Sequence, residues 1–519
     1  MRQVNLRLFR VIISIAFLLL ITSLFIDFRE IIPMVWADRI LFLQFVPSII
    51  HFITIPALAA IGFIAILVLT ALFGRVYCSA ICPLGILQDV FAWISKKTHL
   101  IKRYKFKKAL NYLRYPFLVL TLIWVISGSL FLLNLLDPYS IFGRIFSDIV
   151  RPGLIVLNNW IAAIFEEFNL YSISRQNLAL ITWRTVYVPG LMLVLIVWMS
   201  LYFGRLYCNA VCPVGTLLGL LSRISMFKIK MNADTCTKCG KCSSACKSSC
   251  INVKTLNVDF SRCVACYDCI SACPGGSIRY EGFNHSVKKE IPMVKSKREF
   301  IGKTLLYGMA LAGISKKSFA VEKKERPAGK IVNKKNYPVS PPGSISLAHF
   351  NDRCTACHLC VTICPTSVLQ PSFLEYGFTG MMQPFMDYSV EYCNNECTKC
   401  GEVCPTGAIL PLTVEDKKLE QIGQVVFIKE KCIVYTDKTA CGSCSEHCPT
   451  QAVKMVPYEN GLTIPETDNE ICIGCGACEF ACPVLPFTSI FVDGNAVHQV
   501  AKAPKQEELK VEEGDAFPF

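Results

Sequence analysis

Long apolar stretches alternate with short polar segments up to residue 203, and short apolar runs between clusters of cysteine follow. Four stretches are long enough to cross the ~30 Å hydrocarbon core of a bilayer as α-helices. They cover residues 11–26, 49–73, 115–136 and 186–203. The pattern predicts an α-helical membrane module with four spans within residues 1–225.

Basic residues mark one side of this module. Eight lysines and arginines lie between residues 96 and 114, and four more between residues 205 and 230. Because cytoplasmic loops are enriched in Lys and Arg, both ends of the module are predicted to face the cytoplasm. The first stretch lacks a small-residue cleavage site, so we interpret it as an uncleaved anchor.

An internal repeat lies on this topology. The run F-G-R-V-Y-C-S-A-I-C-P-L-G at residues 73–85 returns as F-G-R-L-Y-C-N-A-V-C-P-V-G at residues 203–215. If each segment is helical, its two cysteines share one face. Two interpretations stay open: the pairs Cys78/Cys82 and Cys208/Cys212 offer four thiols to one metal or redox site, or they are reduced thiols packed at helix ends.

Composition supports membrane spans and metal sites. The chain is 53% hydrophobic and 18% charged, and 29 of its 519 residues are cysteine. Most cysteines follow the spacing C-x2-C-x2-C-x3-C, which is typical of [4Fe–4S] ligands. Zinc is disfavoured, because structural zinc sites come as separate C-x2-C halves.

Residues 226–290 form a first polar unit with two such motifs. Their cysteines are Cys236, Cys239, Cys242 and Cys246, then Cys263, Cys266, Cys269 and Cys273. In two-cluster ferredoxins the fourth cysteine ligates the other cluster, so Cys273 is predicted to complete the first group and Cys246 the second. Lys247 stands where such motifs usually have proline, and the surplus Cys250 is interpreted as a bystander thiol.

Residues 346–500 form a second unit with four motifs, two of which have a lengthened first interval. Their cysteines are Cys354, Cys357, Cys360 and Cys364; Cys393, Cys397, Cys400 and Cys404; Cys432, Cys441, Cys444 and Cys448; and Cys472, Cys475, Cys478 and Cys482. The chain is therefore predicted to carry six [4Fe–4S] clusters on 24 cysteines.

Neither nucleic acid nor haem is expected. The net charge of +14 is offset by six oxidised clusters, which with their thiolates contribute roughly −12. The run Cys354-Thr-Ala-Cys357-His358 matches a haem attachment pattern, but it continues into a cluster motif. His51 is the one histidine in a predicted span, and we found no quinone-site signature in His51, Asp137 or Arg144, which are polar groups near span ends.

The segment between the units resembles an export signal. Residues 296–303, S-K-R-E-F-I-G-K, precede an apolar run at residues 304–314, which predicts a twin-arginine-like leader or a fifth span in residues 291–320. Lys297 replaces the first arginine of that pattern. Residues 321–345 are predicted to be a flexible linker and residues 501–519 a disordered tail.

Residues 1–285 resemble the NapH-type membrane ferredoxin through the four stretches, the doubled F-G-R-x-Y-C-x3-C-P-x-G motif and the two-cluster unit. Residues 296–495 are similar to the NapG type and to methylamine-utilisation ferredoxins, through the leader, the four motifs and the run Cys400-Gly-Glu-Val-Cys404-Pro-Thr-Gly-Ala-Ile. The resemblance implies a multi-domain fusion: a helical membrane module joined to ferredoxin-like α+β domains.

The resemblance also implies a function. The chain is expected to be a quinol-oxidising electron-transfer component rather than a stand-alone enzyme, located in the lipid of a bacterial cytoplasmic membrane. Its first unit would be cytoplasmic and its second periplasmic, and it would pass electrons from the quinone pool, with menaquinol favoured, to a periplasmic reductase such as nitrate reductase or to a multihaem cytochrome.

The alternative function is a membrane ferredoxin for assembly or regulation, of the type that serves oxidase maturation, copper reduction or nitrous-oxide respiration. Clusters on opposite sides of a bilayer are too far apart for one electron hop. Quinone, the two cysteine pairs or a separate partner must therefore bridge them.

Overall fold

The computed structural model describes residues 4–27, 35–54, 62–100, 104–176, 183–282 and 333–503. The predicted leader and most of the predicted tail lie outside these residues. Residues 333–345, expected to be part of a flexible linker, instead pack against the second unit. Asn333 donates to the Thr488 carbonyl at 3.0 Å, and Val339 and Ser344 are buried.

The described part of residues 1–225, predicted as the membrane module and called so below, consists of helices joined by loops. Its helices are α1 Val4–Ile26, α2 Val35–Leu41, α3 Phe45–Thr54, α4 Gly62–Phe73, α5 Val76–Ala80, α6 Pro83–Lys97, α7 Asn111–Ile126, α8 Phe131–Leu136, α9 Pro138–Ile145, α10 Arg151–Glu167, α11 Trp183–Phe203, α12 Leu206–Ala210 and α13 Pro213–Leu221. A π-helical turn, Phe146–Val150, joins α9 to α10.

Two helices in the described residues are long and apolar enough to cross a bilayer. They are Leu6–Ile26 of α1 and Thr185–Phe203 of α11, where the first and fourth stretches were predicted. The third stretch is not one helix, because α7 ends at Ile126 and Gly128 then adopts a φ of 84° before α8 begins. The second stretch is divided between α3 and α4, with residues 55–61 outside the description.

Both sequence repeats fold in the same way. A short helix, α5 or α12, is followed at once by a second helix, α6 or α13. The second cysteine of each repeat is the N-cap of that second helix. The proline after it occupies the first turn, where a missing N–H costs no hydrogen bond.

The first soluble unit consists of two small antiparallel pairs and two short helices. The pairs are β1 Lys228–Met231 with β4 Ile278–Glu281, and β2 Ile251–Asn252 with β3 Asn257–Val258. The helices are α14 Lys241–Ala245 and α15 Asp268–Ser271.

The second soluble unit repeats this kind of element on a larger scale. Its helices are α16 Leu347–Arg353, α17 Leu359–Ile363, α18 Lys399–Glu402, α19 Val414–Leu419, α20 Ile433–Thr436, α21 Ser443–Glu446 and α22 Ala477–Ala481. Its antiparallel pairs are β5 Leu369–Pro371 with β6 Pro384–Met386, β7 Glu420–Phe427 with β10 Ile490–Val500, and β8 Val453–Pro457 with β9 Thr463–Thr467.

Helix α1 contacts both soluble units, one near each of its ends. Arg7 forms an ion pair with Asp268 of α15 at 2.9 Å. Near the other end Phe25 packs on Phe142, with ring centroids 6.1 Å apart, and this part of the module shares one buried core with Phe350 of the second unit. At ~1.5 Å per residue, Arg7 and Phe25 are ~27 Å apart along the helix.

Candidate functional site

Three cavities in the soluble units are lined by four cysteines each. One cavity is lined by Cys236, Cys239, Cys242 and Cys273. A second is lined by Cys354, Cys357, Cys360 and Cys404. A third is lined by Cys364, Cys393, Cys397 and Cys400. In every case one cysteine comes from the neighbouring motif, which is the crossed arrangement of two-cluster ferredoxins.

The remaining cysteines of the motifs form three further groups. The groups are Cys246 with Cys263, Cys266 and Cys269; Cys432, Cys441 and Cys444 with Cys482; and Cys448 with Cys472, Cys475 and Cys478. Burial raises the pKa of Cys444 to about 12, and the nearby Cys441 and Cys482 add to the effect. Thiols of this kind must lose their protons to bind iron, so cluster binding supplies the free energy of deprotonation.

Local backbone shape explains how the regular motifs surround a cavity. In Cys354–Cys360 the residues on either side of the second cysteine, Ala356 and His358, have φ values of 52° and 64°. The Ala356 N–H donates to the Cys354 sulfur at 3.4 Å. Left-handed residues that alternate with right-handed ones can turn successive N–H groups inward and create a concave site for an anion. The residues therefore fit an anionic iron–sulfur cluster, whose potential such N–H groups help to set.

Cys250, outside all six groups, is buried with its sulfur 3.5 Å from that of Cys246. It thus lies beside a predicted ligand, although the spacing of the motifs gives it no place in a group.

His358 has a role that the sequence did not indicate. Its Nδ1 lies 2.8 Å from a carboxylate oxygen of Asp148, and its Nε2 lies 2.7 Å from the Met382 carbonyl oxygen. Asp148 belongs to the π-helical turn of the membrane module, so the pair joins the second unit to that module. No motif marked Asp148, because only the tertiary structure brings it to a cysteine loop 210 residues away.

Lys247, the exception to the expected proline, lies in a buried network of charges. Its ammonium group is 3.4 Å from Asp89 and 3.2 Å from Asp268, and Asp89 also pairs with Arg10 at 2.9 Å and Arg205 at 2.8 Å. Although burial raises it, these cations hold the pKa of Asp89 well below its usual value, with Arg205 contributing most. The network fixes the first unit against the membrane module.

The four cysteines of the repeats are gathered in one buried cluster. Cys78, Cys82, Cys208 and Cys212 are each at most 4% exposed. Burial raises the pKa of Cys82, Cys208 and Cys212, and the nearby Cys78 adds to the effect on each. We call these four residues the cysteine quartet. The helix is interrupted between the two cysteines of each pair, so the pairs meet through the packing of the repeats rather than along one helix face.

Among the described residues, no three His, Cys, Asp or Glu side chains are arranged to hold a single metal ion. This holds for the six groups and for the quartet, whereas each ligand of a four-iron cube binds a different iron.

Family models support the same chemistry. A model described as a 4Fe-4S binding domain matches residues 55–100 and 185–232. Two models described as 4Fe-4S dicluster domains match residues 259–368 and residues 439–485. The chain therefore contains several 4Fe–4S binding domains.

Curated relatives are ferredoxin-type proteins. The methylamine utilization ferredoxin-type protein MauM of Methylobacillus flagellatus is 30% identical over 182 residues, 34% of this chain and 74% of that protein. MauM of Methylophilus methylotrophus is 35% identical, over 27% of this chain and 65% of its own length. The ferredoxin-type protein NapF of Escherichia coli is 28% identical over 30% of this chain and 85% of its own length.

Fold, cysteine geometry and relatives together define an iron–sulfur electron-transfer protein of the ferredoxin type. The chain belongs to the family of ferredoxin-type proteins represented by MauM.

Proposed function

We propose that the chain is a membrane-bound electron-transfer protein that takes electrons from quinol, with menaquinol favoured, and delivers them to a periplasmic reductase such as nitrate reductase. Its membrane part would be of the NapH type, with four spans. Its 24 motif cysteines would ligate six [4Fe–4S] clusters in the groups described above. The observation that carries the proposal is the position of the two iron–sulfur units near opposite ends of α1.

The length of α1 agrees with a bilayer crossing. The ~27 Å between its contacts with the two units is close to the ~30 Å thickness of a hydrocarbon core. Residues 283–332 connect the units, and 50 residues are more than enough chain for that distance. We therefore propose that the units lie on opposite sides of the membrane, and the basic loops of the module favour the cytoplasm for the first unit and the periplasm for the second.

The outer surface of the module suits lipid. Large apolar side chains are exposed on α1, α7 and α11, including Phe9 and Leu19 at 64%, Ile126 at 84% and Val194 at 64%. Large apolar side chains exposed in such number mark a surface that contacts lipid or a partner rather than water. A surrounding bilayer removes it from water.

The chain's own residues ligate, shield and orient the redox centres. Bound clusters supply reversible one-electron chemistry. Oxidation of one quinol releases two electrons and two protons, so the electrons must enter the clusters one at a time. The hydrogen bond from Asn134 to the Cys354 carbonyl and the buried His358–Asp148 pair keep the nearest cysteine group of the second unit at the membrane module.

Transfer is tested with proteoliposomes that contain the full chain and a menaquinol analogue. The expected result is reduction of an external, membrane-impermeant acceptor that requires both protein and quinol. A matched variant, Cys404→Ser, lacks one cysteine of the group nearest the module and should lose most of this rate. If cluster-loaded protein does not oxidise quinol, the proposed function is wrong and the assembly or regulatory function becomes the better account.

Sidedness is tested separately with reporter fusions after Glu281 and after Val500. At the first position a reporter that works only in the cytoplasm should be active. At the second position a reporter that works only in the periplasm should be active. Two cytoplasmic reporters would contradict a transmembrane relay.

A further inference from the structure

An arginine in each sequence repeat donates a hydrogen bond to the backbone of the other repeat. Arg75, three residues before Cys78, donates to the carbonyl oxygen of Cys208 at 3.1 Å. Arg205, three residues before Cys208, donates to the carbonyl oxygen of Cys78. The quartet is thus assembled by two copies of one motif in reciprocal contact.

Glycines make this approach possible. A Cβ atom at Gly215 would lie 2.8 Å from Arg75 Nη2, and one at Gly85 would lie 3.0 Å from Arg205 Nη1. Such a Cβ would also collide with the backbone of Cys208 or Cys78. Glycine at the end of each repeat therefore leaves room for the arginine side chain of the other repeat.

The charge of Arg75 points to an anion at the quartet. Its side chain is fully buried, yet its hydrogen-bond acceptors are neutral: Asn209 at 2.9 Å, the Ser261 carbonyl at 3.1 Å and the Cys208 carbonyl. A buried guanidinium without a counter-charge is costly. Its Nη2 lies 3.7 Å from the Cys78 sulfur, so thiolate ligands there would provide the missing charge.

Other donors also converge on the quartet. Gln88 Nε2 lies 3.4 Å from the Cys208 sulfur, and the Gly215 N–H donates to the Cys212 sulfur at 3.3 Å. Hydrogen bonds to sulfur stabilise the thiolate form and adjust the potential of a cluster.

We propose that Cys78, Cys82, Cys208 and Cys212 jointly ligate a seventh iron–sulfur cluster, shared between the two repeats within the membrane module. Each stretch matched by the 4Fe-4S binding model contains one pair only, so neither repeat can hold the cluster alone. The oxidised cluster with four thiolates carries about −2, and Arg75 together with Arg205 offsets it.

The position of the quartet gives this cluster its function. On one side Arg75 connects it to Ser261, two residues before Cys263 of the first unit. On the other side the hydroxyl of Tyr207 donates to the Leu136 carbonyl at 2.7 Å, and Asn134 of the same helix, α8, donates to the Cys354 carbonyl at 2.9 Å.

The seventh cluster therefore lies between the two units and divides one long electron transfer into two shorter ones. It accepts one electron from the cluster on one side and gives one electron to the cluster on the other, without bond formation or proton transfer. Its existence does not depend on quinol being the electron donor.

The test compares the full chain, loaded with 57Fe and purified without oxygen, with the double variant Cys78→Ser/Cys208→Ser. The variant should lose about two or four iron atoms per chain, with matching sulfide, according to the cluster type. The Mössbauer and EPR signals of the other clusters should remain. The control is Ser79→Ala, a buried change in the same helix that leaves every sulfur in place and should lose no iron.

Equal iron in wild type and double variant would overturn the proposal, as would loss of a single iron or zinc ion. If the double variant does not accumulate, Arg75→Met is the deciding variant, because it keeps all four cysteine ligands. One set of EPR signals should then titrate at lower potential than in the wild type. Arg75→Lys should return that potential to the wild-type value. Unchanged potentials in Arg75→Met would also overturn the proposal. Failure of quinol oxidation with the quartet's iron present would contradict the proposed function alone.

Discussion

Replacing Asp89 by asparagine tests how the first iron–sulfur unit is held on the membrane module. The Asp89 carboxylate is nearly buried and lies within 3.4 Å of Arg10, Arg205 and Lys247. Asparagine keeps the shape but leaves these cations without their main counter-charge. Removing one partner of a buried ion pair costs about 3–5 kcal/mol. The free energy of local opening at this interface should fall by about that amount.

The assay is hydrogen exchange of the amides in α15 and in α6, measured on the cluster-loaded chain in detergent. A loss of ~3 kcal/mol accelerates exchange roughly a hundredfold, since 1.4 kcal/mol is a factor of ten. The double variant Asp89→Asn/Lys247→Met should lose less free energy of opening than the sum of the losses in the two single variants, because the two groups share one network. Asp437→Asn, an exposed change in the second unit, is the control.

The pH dependence has a defined sign. Because the folded-state pKa of Asp89 lies below its unfolded value of ~3.9, its contribution is present at higher pH and is lost as pH falls through the folded pKa. The contribution of Asp89 to protection from exchange at this interface should therefore stay constant between about pH 5 and 8. Unchanged protection in Asp89→Asn at neutral pH would refute the role of the network.

Three further changes test the cysteine groups and the second interface. Cys404→Ser should remove about four iron atoms, counted by iron and sulfide analysis, and should spare the neighbouring group that contains Cys393; loss from that group alone would contradict the crossed arrangement. Lys417→Met removes an ammonium group 3.4 Å from the Cys393 sulfur, so one cluster potential in an EPR titration should become more negative, and an unchanged set would exclude this influence. Asp148→Asn weakens the hydrogen bond with His358 and, at about 1–3 kcal/mol for a weakened buried hydrogen bond, should raise exchange in α17 but not in α15; equal effects on both helices would contradict a local contact.

Spacing along the chain was informative wherever ligands are close in sequence. Three cysteines two residues apart can only surround something small, and Ala356 and His358 show the left-handed backbone that this requires. The first unit also follows the expected crossing, with Cys273 beside Cys236. A cubane motif is a local property, so its sequence signal is strong.

For the two lengthened motifs, only the fold showed which cysteines form a group. Cys482 joins Cys432, Cys441 and Cys444, whereas Cys448 joins the group of Cys472, and no interval in the sequence distinguishes this pairing from the others. The linker before residue 345 was also expected to be flexible. Its described residues, 333–345, are packed because Asn333 and Asn336 form hydrogen bonds with Thr488 and Asp493.

The sequence by itself determined the class of protein: apolar stretches, a duplicated motif and six sets of cysteines are all visible without coordinates. Only the tertiary structure decided how these parts are connected. It brought Lys247 to Asp89, His358 to Asp148, and the two cysteine pairs of the repeats into one buried quartet. The physical reason is the separation along the chain between the residues that interact. Ligand spacing and helix length are set by neighbouring residues, whereas the pairing of buried charges depends on segments more than a hundred residues apart.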